Sequence, residues 1–323
     1  MFAVSETFQP EFIDAFEVGT KNTFLDGTLR LNFTGFYYKY KGLQLSRIVA
    51  RTSVNDNVDA NIYGLELESI LSPSPAWLIN MNASWLHAKV ANDKFLSNPR
   101  DPSGGRGDAV IIKDITNGSN CAVVPNVAGS TLAATYVGLI NGGISASTGT
   151  ANLLRAPTAF ASDSGLAAGT TGAFSICSQL AASTAAVAAL GGVTVLNEGV
   201  LSNIKGNTLP QAPNYKFSVG TQYTFDLAND MNVVPRVDLT YTGDSYGNIF
   251  NGAINKISGY TVVNAQVQVN GPDGRWFARA FVQNLTNNDA VTGLYVTDQS
   301  SGLFTNIFTL EPRRYGIAAG FKF

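Results

Sequence analysis

Hydrophobic and polar residues alternate along much of this chain with a period of two. From Tyr315 the odd positions read Tyr315, Ile317, Ala319, Phe321 and Phe323, and the even ones read Gly316, Ala318, Gly320 and Lys322. Successive side chains of a strand point to opposite faces, so this run predicts a strand with one apolar face and one small or polar face. The same alternation recurs upstream. Trp77, Ile79, Met81, Ala83 and Trp85 alternate with Asn80, Asn82 and Ser84, and Thr261, Val263, Ala265, Val267 and Val269 alternate with Asn264, Gln266 and Gln268. Nine strands are expected, near 16–24, 28–41, 62–71, 77–85, 215–225, 233–241, 261–269, 278–283 and 315–323.

The connections alternate as well. Short turns fall at 25–27, 72–76, 228–231 and 271–274, and long loops at 42–60, 91–213, 243–258 and 287–311. Tight turns at one end and long loops at the other describe an outer-membrane β-barrel, whose extracellular loops are the long ones. The longest loop, 91–213, is rich in Gly, Ala, Ser, Thr and Asn and shows no sustained alternation. Within it Ser178–Leu190, followed by Gly191-Gly192, predicts one short helix with a glycine stop.

The polar faces point the same way. Arg30, Glu66, Glu68, Arg236, Asp238 and Arg279 occupy positions that a sandwich core would have to bury, whereas a wet lumen accepts them. An ion pair between Arg30 and the Glu66/Glu68 pair is expected there. On the other face, Trp77 and Trp85 stand eight positions apart, roughly 26 Å at ~3.3 Å per residue, which matches the height of a lipid-facing band between aromatic girdles. The fold class expected is therefore all-β, a transmembrane antiparallel outer-membrane barrel.

Composition narrows the function. Charged residues make up 14% of the chain and the net charge is −2, so nothing suggests a nucleic-acid partner. No apolar run of about 18 residues is present, which removes a transmembrane helix. The start, MFAVSETFQPEF, has no secretory signal pattern, so the sequence is expected to begin part-way through a longer chain or to belong inside the cell. Cys121 and Cys177 have no close Cys or His partner; zinc is not expected, and a disulfide is expected if the compartment oxidises. His87, the single histidine, reads as an interfacial residue. Asp101, Asp108 and Asp114 lack calcium-loop spacing, so no metal is expected. Arg106-Gly107-Asp108 matches an adhesion tripeptide that occurs often by chance. No Ser/His/Asp constellation is present, so no enzyme activity and no cofactor are expected. Loop residues Tyr136, Arg155, Tyr246, Phe250, Tyr295 and Phe304 are the candidates for gripping a small molecule at the mouth.

Several ordered segments then carry a resemblance. FEVGTK at Phe16–Lys21, LDGTLRLN at Leu25–Asn32, FYYKY at Phe36–Tyr40, YGLELE at Tyr63–Glu68, FVQNLTN at Phe281–Asn287 and the close from Pro312 to Phe323 resemble the barrel of TonB-dependent outer-membrane receptors. The resemblance implies about nine C-terminal strands of a 22-stranded barrel over residues 1–323, with plug and TonB-contacting segment absent and 91–213 as an extracellular loop. It implies uptake of a scarce nutrient, a ferric siderophore or similar iron complex, in the outer membrane of a Gram-negative bacterium. It also implies outer-membrane lipid as surroundings, TonB reached only through the plug, and Phe323 as the signal read by the barrel assembly machinery. A self-standing porin-like or adhesin-like barrel is the alternative.

Overall fold

The computed structural model describes residues 8–49, 52–114, 119–148, 176–297 and 302–322. One antiparallel sheet dominates it. Its main strands are β1 (Phe12–Phe24), β2 (Leu29–Val49), β3 (Thr52–Ser74), β4 (Trp77–Val90), β5 (Tyr215–Tyr223), β6 (Asn232–Thr242), β7 (Tyr260–Asn270), β8 (Trp276–Gln283) and β9 (Arg314–Phe321). Each pairs with its neighbours in this order, the two-residue strand Phe225–Asp226 pairs with β6 as well, and among the described residues β1 and β9 are the unpaired edges. The nine strands expected from periodicity are thus present in a meander, an open wall of barrel type.

Register sorts the side chains as the alternation requires. Arg30, Asn32 and Thr34 stand opposite Ile70, Glu68 and Glu66. Glu66 and Glu68 stand opposite Ser84 and Asn82, and Asn82 opposite Ser218. Asp238 stands opposite Gly220 and Asn264, and Gln268 opposite Arg279. This is one continuous polar face. The other face is apolar and stripped of protein contacts: Ile317 is 88% exposed, Val18 77% and Tyr315 72%. A water-soluble sheet would cover such residues, and lipid is the solvent that removes the cost.

The short turns have a shared chemistry. Leu25–Gly27 and Pro272–Gly274 form single 3-10 turns with Asp26 (φ 51°) and Asp273 (φ 53°) in the left-handed region, a conformation that Asp tolerates better than most residues. At the opposite end the expected loop over 42–60 is corrected: β2 and β3 stay paired up to Val49 and Thr52. The alternation is masked there by a bulge between Tyr40 and Leu43, which shifts the register at Gly42. Asn57 Nδ2 closes the bulge by donating to the carbonyls of Gly42 (2.6 Å) and Gln9 (3.0 Å).

The long loop expected over 91–213 has a structure of its own that the alternation does not show. Its described part folds as a unit. Strands Val110–Asp114, Ser119–Pro125 and Val193–Leu196 form a three-stranded sheet. Helices α1 (Leu132–Thr148) and α2 (Ile176–Ala182) pack on it. Ile112, Val123, Tyr136, Val137, Ile176, Leu180 and Val187 form its buried core together with Cys121 and Cys177, which are joined in a disulfide. The helix expected over 178–190 is two pieces, α2 and a 3-10 segment Thr184–Leu190, broken at Ser183 and stopped by Gly191 at φ 106°. Ala, Ser and Thr have little apolar surface to set a period, which is why this core does not announce itself in the alternation.

Candidate functional site

Two regions have the chemistry to meet a solute: the polar face of the wall and the external layer at its long-loop end. On the polar face Arg236 is held by four side-chain hydrogen bonds. Its Nε and Nη2 donate to the two oxygens of Asp238 at 2.9 and 2.5 Å, Nη1 donates to Gln222 Oε1 at 3.0 Å, and Nη2 also reaches Asn80 Oδ1 at 3.0 Å. One guanidinium therefore stitches β4, β5 and β6. Gly220 lies beneath it, and a Cβ there would stand 2.4 Å from Asp238 Oδ1 and 2.5 Å from Arg236 Nη2, so any larger residue would have to push these side-chain ends aside.

Beside this cluster lies a hollow of ≈ 440 Å³ lined by Glu66, Glu68, Asn82, Ser84, Lys216, Ser218 and Thr240 among others. Asn32 Nδ2 donates to Glu68 Oε2 at 3.3 Å. The Arg30 ion pair expected with Glu66 and Glu68 is not formed among the described residues. Register puts Arg30 opposite Ile70, while Asn32 and Thr34 face the two carboxylates. Farther along, the Arg279 guanidinium lies 5.8 Å from the centre of the Phe281 ring. That ring folds across strand onto Gly316, where a Cβ would be 2.2 Å from Phe281 Cζ.

The external layer is built from the top of the β2–β3 hairpin and three loops that hold one another. Arg47 on β2 pairs with Asp56 on β3 (2.5 Å), Lys94 joins Asp56 at 3.0 Å, and Arg47 also faces Glu198 at 3.8 Å. Burial works to raise the Asp56 carboxyl, but hydrogen bonds from Arg47 and Lys94 outweigh it and hold the group below its usual value. Beneath this network Val58, Val90, Leu96, Ile204 and Ile249 form a second core. Asn207 Nδ2 donates to the Ile249 carbonyl (2.9 Å), and Asn251 Nδ2 to the Thr208 carbonyl (2.9 Å), tying loop 243–258 to the insertion. Arg100 Nη2 donates to the Leu303 carbonyl at 2.8 Å and to the Thr305 hydroxyl, reaching the hairpin Val291–Val296/Thr305–Thr309 of the last loop. Sequence reading missed Arg47, Asp56, Lys94 and Arg100, because the contacts that define them join residues up to 205 positions apart.

The sequence candidates scatter over this layer. Tyr136 is fully buried in the insertion core and its hydroxyl donates to the Leu180 carbonyl, so the expectation of a ligand contact is corrected: it is a packing residue. Phe250 packs against the second core and Tyr246 is half-buried. Tyr295 and Phe304 are 49% and 56% exposed on the last hairpin. Arg155 and Phe323 lie outside the described residues. His87 sits on the apolar face, stacked on Tyr63 with ring centres 4.4 Å apart.

The remaining motifs are accounted for locally. Arg106 and Asp108 bind each other through two hydrogen bonds of 2.8 and 2.9 Å, and the Gly129 amide adds a third at 2.7 Å. Arg106 first, then that amide, hold the Asp108 carboxyl far below the usual carboxylate range. The tripeptide is thus closed on itself. Asp101 accepts from Ser103 and Gly105, and buried Asp114 accepts from the Cys177 amide at 3.1 Å, so the three aspartates serve separate sites. No group of three or more His, Cys, Asp or Glu suited to a metal occurs among the described residues.

Comparison with known proteins fits this architecture. A family model described as TonB dependent receptor-like, beta-barrel matches residues 2–176, just over half of the 323-residue chain. Among curated protein sequences none matches. Among solved structures, the ferric yersiniabactin uptake receptor FyuA of Yersinia pestis is similar at 14% identity and a TM-score of 0.55, over 97% of this chain and 30% of that one. The siderophore receptor PiuA of Acinetobacter baumannii is similar at 14% identity and a TM-score of 0.53, over 99% of this chain and 29% of its own. The copper transporter OprC is similar at 12% identity and a TM-score of 0.51, over 98% of this chain and 32% of its own. The chain thus spans about a third or less of these structures, and at such identities the likeness shows a shared fold.

Proposed function

This chain belongs to the TonB dependent receptor-like β-barrel family, and from that membership we propose that it forms the C-terminal wall of an outer-membrane receptor that takes up a scarce nutrient. The ligand we propose is an iron–siderophore complex. The observation that carries this reading is the pairing of a two-faced sheet with an ordered layer on one end only. The apolar face sits in outer-membrane lipid, the polar face lines the lumen, and the three interlocked loops lie outside. Tyr246, Phe250, Tyr295 and Phe304 then line the approach of the ligand. Arg30, Glu66, Glu68, Arg236, Asp238 and Arg279 face the interior, where a plug would engage TonB. Phe323 would carry the signal for the barrel assembly machinery.

A self-standing barrel fits less well. Nine strands in an antiparallel meander leave β1 and β9 running in the same direction, so closing them on each other would need one parallel pairing. An odd number of further strands keeps every pairing antiparallel. The test is growth under iron limitation of a strain lacking the gene, with single ferric chelates supplied one at a time. Loss of growth on one chelate, restored by the gene, is expected. Unchanged growth on every iron source would remove iron uptake as the function.

A further inference from the structure

The apolar face carries more than a lipid-facing band, because register stacks its residues in rows across β2, β3 and β4. From the turns outward these rows read Leu31–Ser69–Met81, Phe33–Leu67–Ala83, Gly35–Leu65–Trp85, Tyr37–Tyr63–His87 and Lys39–Asn61–Lys89. Aliphatic rows give way to a row of stacked rings. The Tyr37 and Tyr63 centres lie 6.2 Å apart, Tyr63 and His87 4.4 Å, and Tyr63 meets Trp85 edge-on at 5.8 Å. Such a row marks the interface between hydrocarbon and headgroups. The next row outward, on the long-loop side, holds two ammonium groups either side of an amide. At ~4.8 Å per strand the two lysines stand roughly 10 Å apart.

Neither Lys39 nor Lys89 has a carboxylate within 4.0 Å among the described residues. Asp14, the acid in register with Lys39, pairs instead with Lys41 at 3.5 Å. Asp59, farther out on β3, accepts the Gly42 amide at 3.0 Å. Asn61 Oδ1 accepts the Tyr37 hydroxyl at 3.3 Å, leaving its amide N–H groups to donate. Two unpaired cations and an amide donor over an aromatic row are suited to one kind of neighbour at this depth. We propose that Lys39, Asn61 and Lys89 form a site for the phosphate of an anionic lipid headgroup in the outer leaflet. The site rests on the reading of the sheet as a membrane wall. A headgroup phosphate there accepts from both ammonium groups while its acyl chains run down over Tyr63, Leu65 and Leu67.

Trp85, one row below His87, is a built-in reporter. The full chain with Trp85 as its single tryptophan (Trp77→Phe, Trp276→Phe) is reconstituted in phosphatidylcholine vesicles. These contain equal fractions of either bromine-chained phosphatidylcholine or bromine-chained phosphatidylglycerol. Each lysine is expected to favour the anionic lipid about fivefold, so the pair gives a preference of roughly 25-fold in quenching affinity. Lys39→Ala/Lys89→Ala removes the preference, and Lys39→Arg/Lys89→Arg keeps it. Equal quenching by the two lipids in the unaltered site would overturn the site while leaving the wall intact. Loss of the preference on adding inorganic phosphate would mark a free-anion site and overturn the lipid assignment. No bromine quenching by either lipid would overturn the membrane reading, and the site with it.

Discussion

At the scale of single residues, two positions carry consequences that can be measured. Gly220 keeps the Arg236 cluster flat, since any Cβ would meet Asp238, Arg236 and Asn80 at 2.4 to 2.7 Å. Gly220→Ala is expected to lower stability by about 1–3 kcal/mol through overpacking, read from the urea midpoint. An unchanged midpoint would show that the cluster moves aside at no cost. Asp56 gives a pH prediction. Its carboxyl is depressed in the folded chain, so its contribution is fully present above the ordinary carboxylate value of about 3.9 and is lost as pH falls through the lower folded value. The insertion should resist limited proteolysis equally at pH 7 and pH 5 and yield only below about pH 4. Loosening already at pH 5 would place the anchoring charge elsewhere. The sequence showed that Arg236 and Asp238 share a polar face, because i and i+2 on a strand always do. It did not show Gln222 and Asn80 as their partners, since those contacts cross strands. The Arg30 expectation failed for the same reason: alternation gives the face, and only register gives the row.

At the scale of elements, all nine wall strands were legible from period-two patterning, and their ends were not. The top of the β2–β3 hairpin reads as loop because the bulge at Gly42 breaks the alternation, while Asn57 and Asp59 satisfy the backbone there. The insertion was illegible for another reason. Its core comes from scattered Val, Ile, Leu, Tyr and Cys in an Ala- and Ser-rich stretch, and its sheet joins strands about 70 residues apart, from Ala122 to Leu196. The Cys121–Cys177 bond closes a separation of 56 residues, which in the chain-entropy picture is worth about 4 kcal/mol. Cys121→Ser/Cys177→Ser should therefore unfold the insertion at lower urea while the wall keeps its own transition. A single shared transition, displaced as a whole, would show that insertion and wall fold as one cooperative body.

At the scale of the molecule, the wall is open at both edges and its faces differ in kind. Exposed Ile317, Val18 and Tyr315 on one side, and Arg236, Asp238 and Glu66 on the other, make sense only if two solvents are present. That contrast underlies both the receptor proposal and the headgroup site, and the alternation of the sequence makes it legible. Membership of the family accounts for the wall. The most direct test puts single spin labels in turn at Val237, Asp238, Leu239 and Thr240 of β6 in the membrane-embedded chain, where the native cysteines are already joined. Accessibility to oxygen, which concentrates in lipid, should be high at 237 and 239, and accessibility to a water-soluble nickel chelate high at 238 and 240. Equal accessibility of all four positions to the nickel chelate would contradict the account, because both faces of the sheet would then be in water.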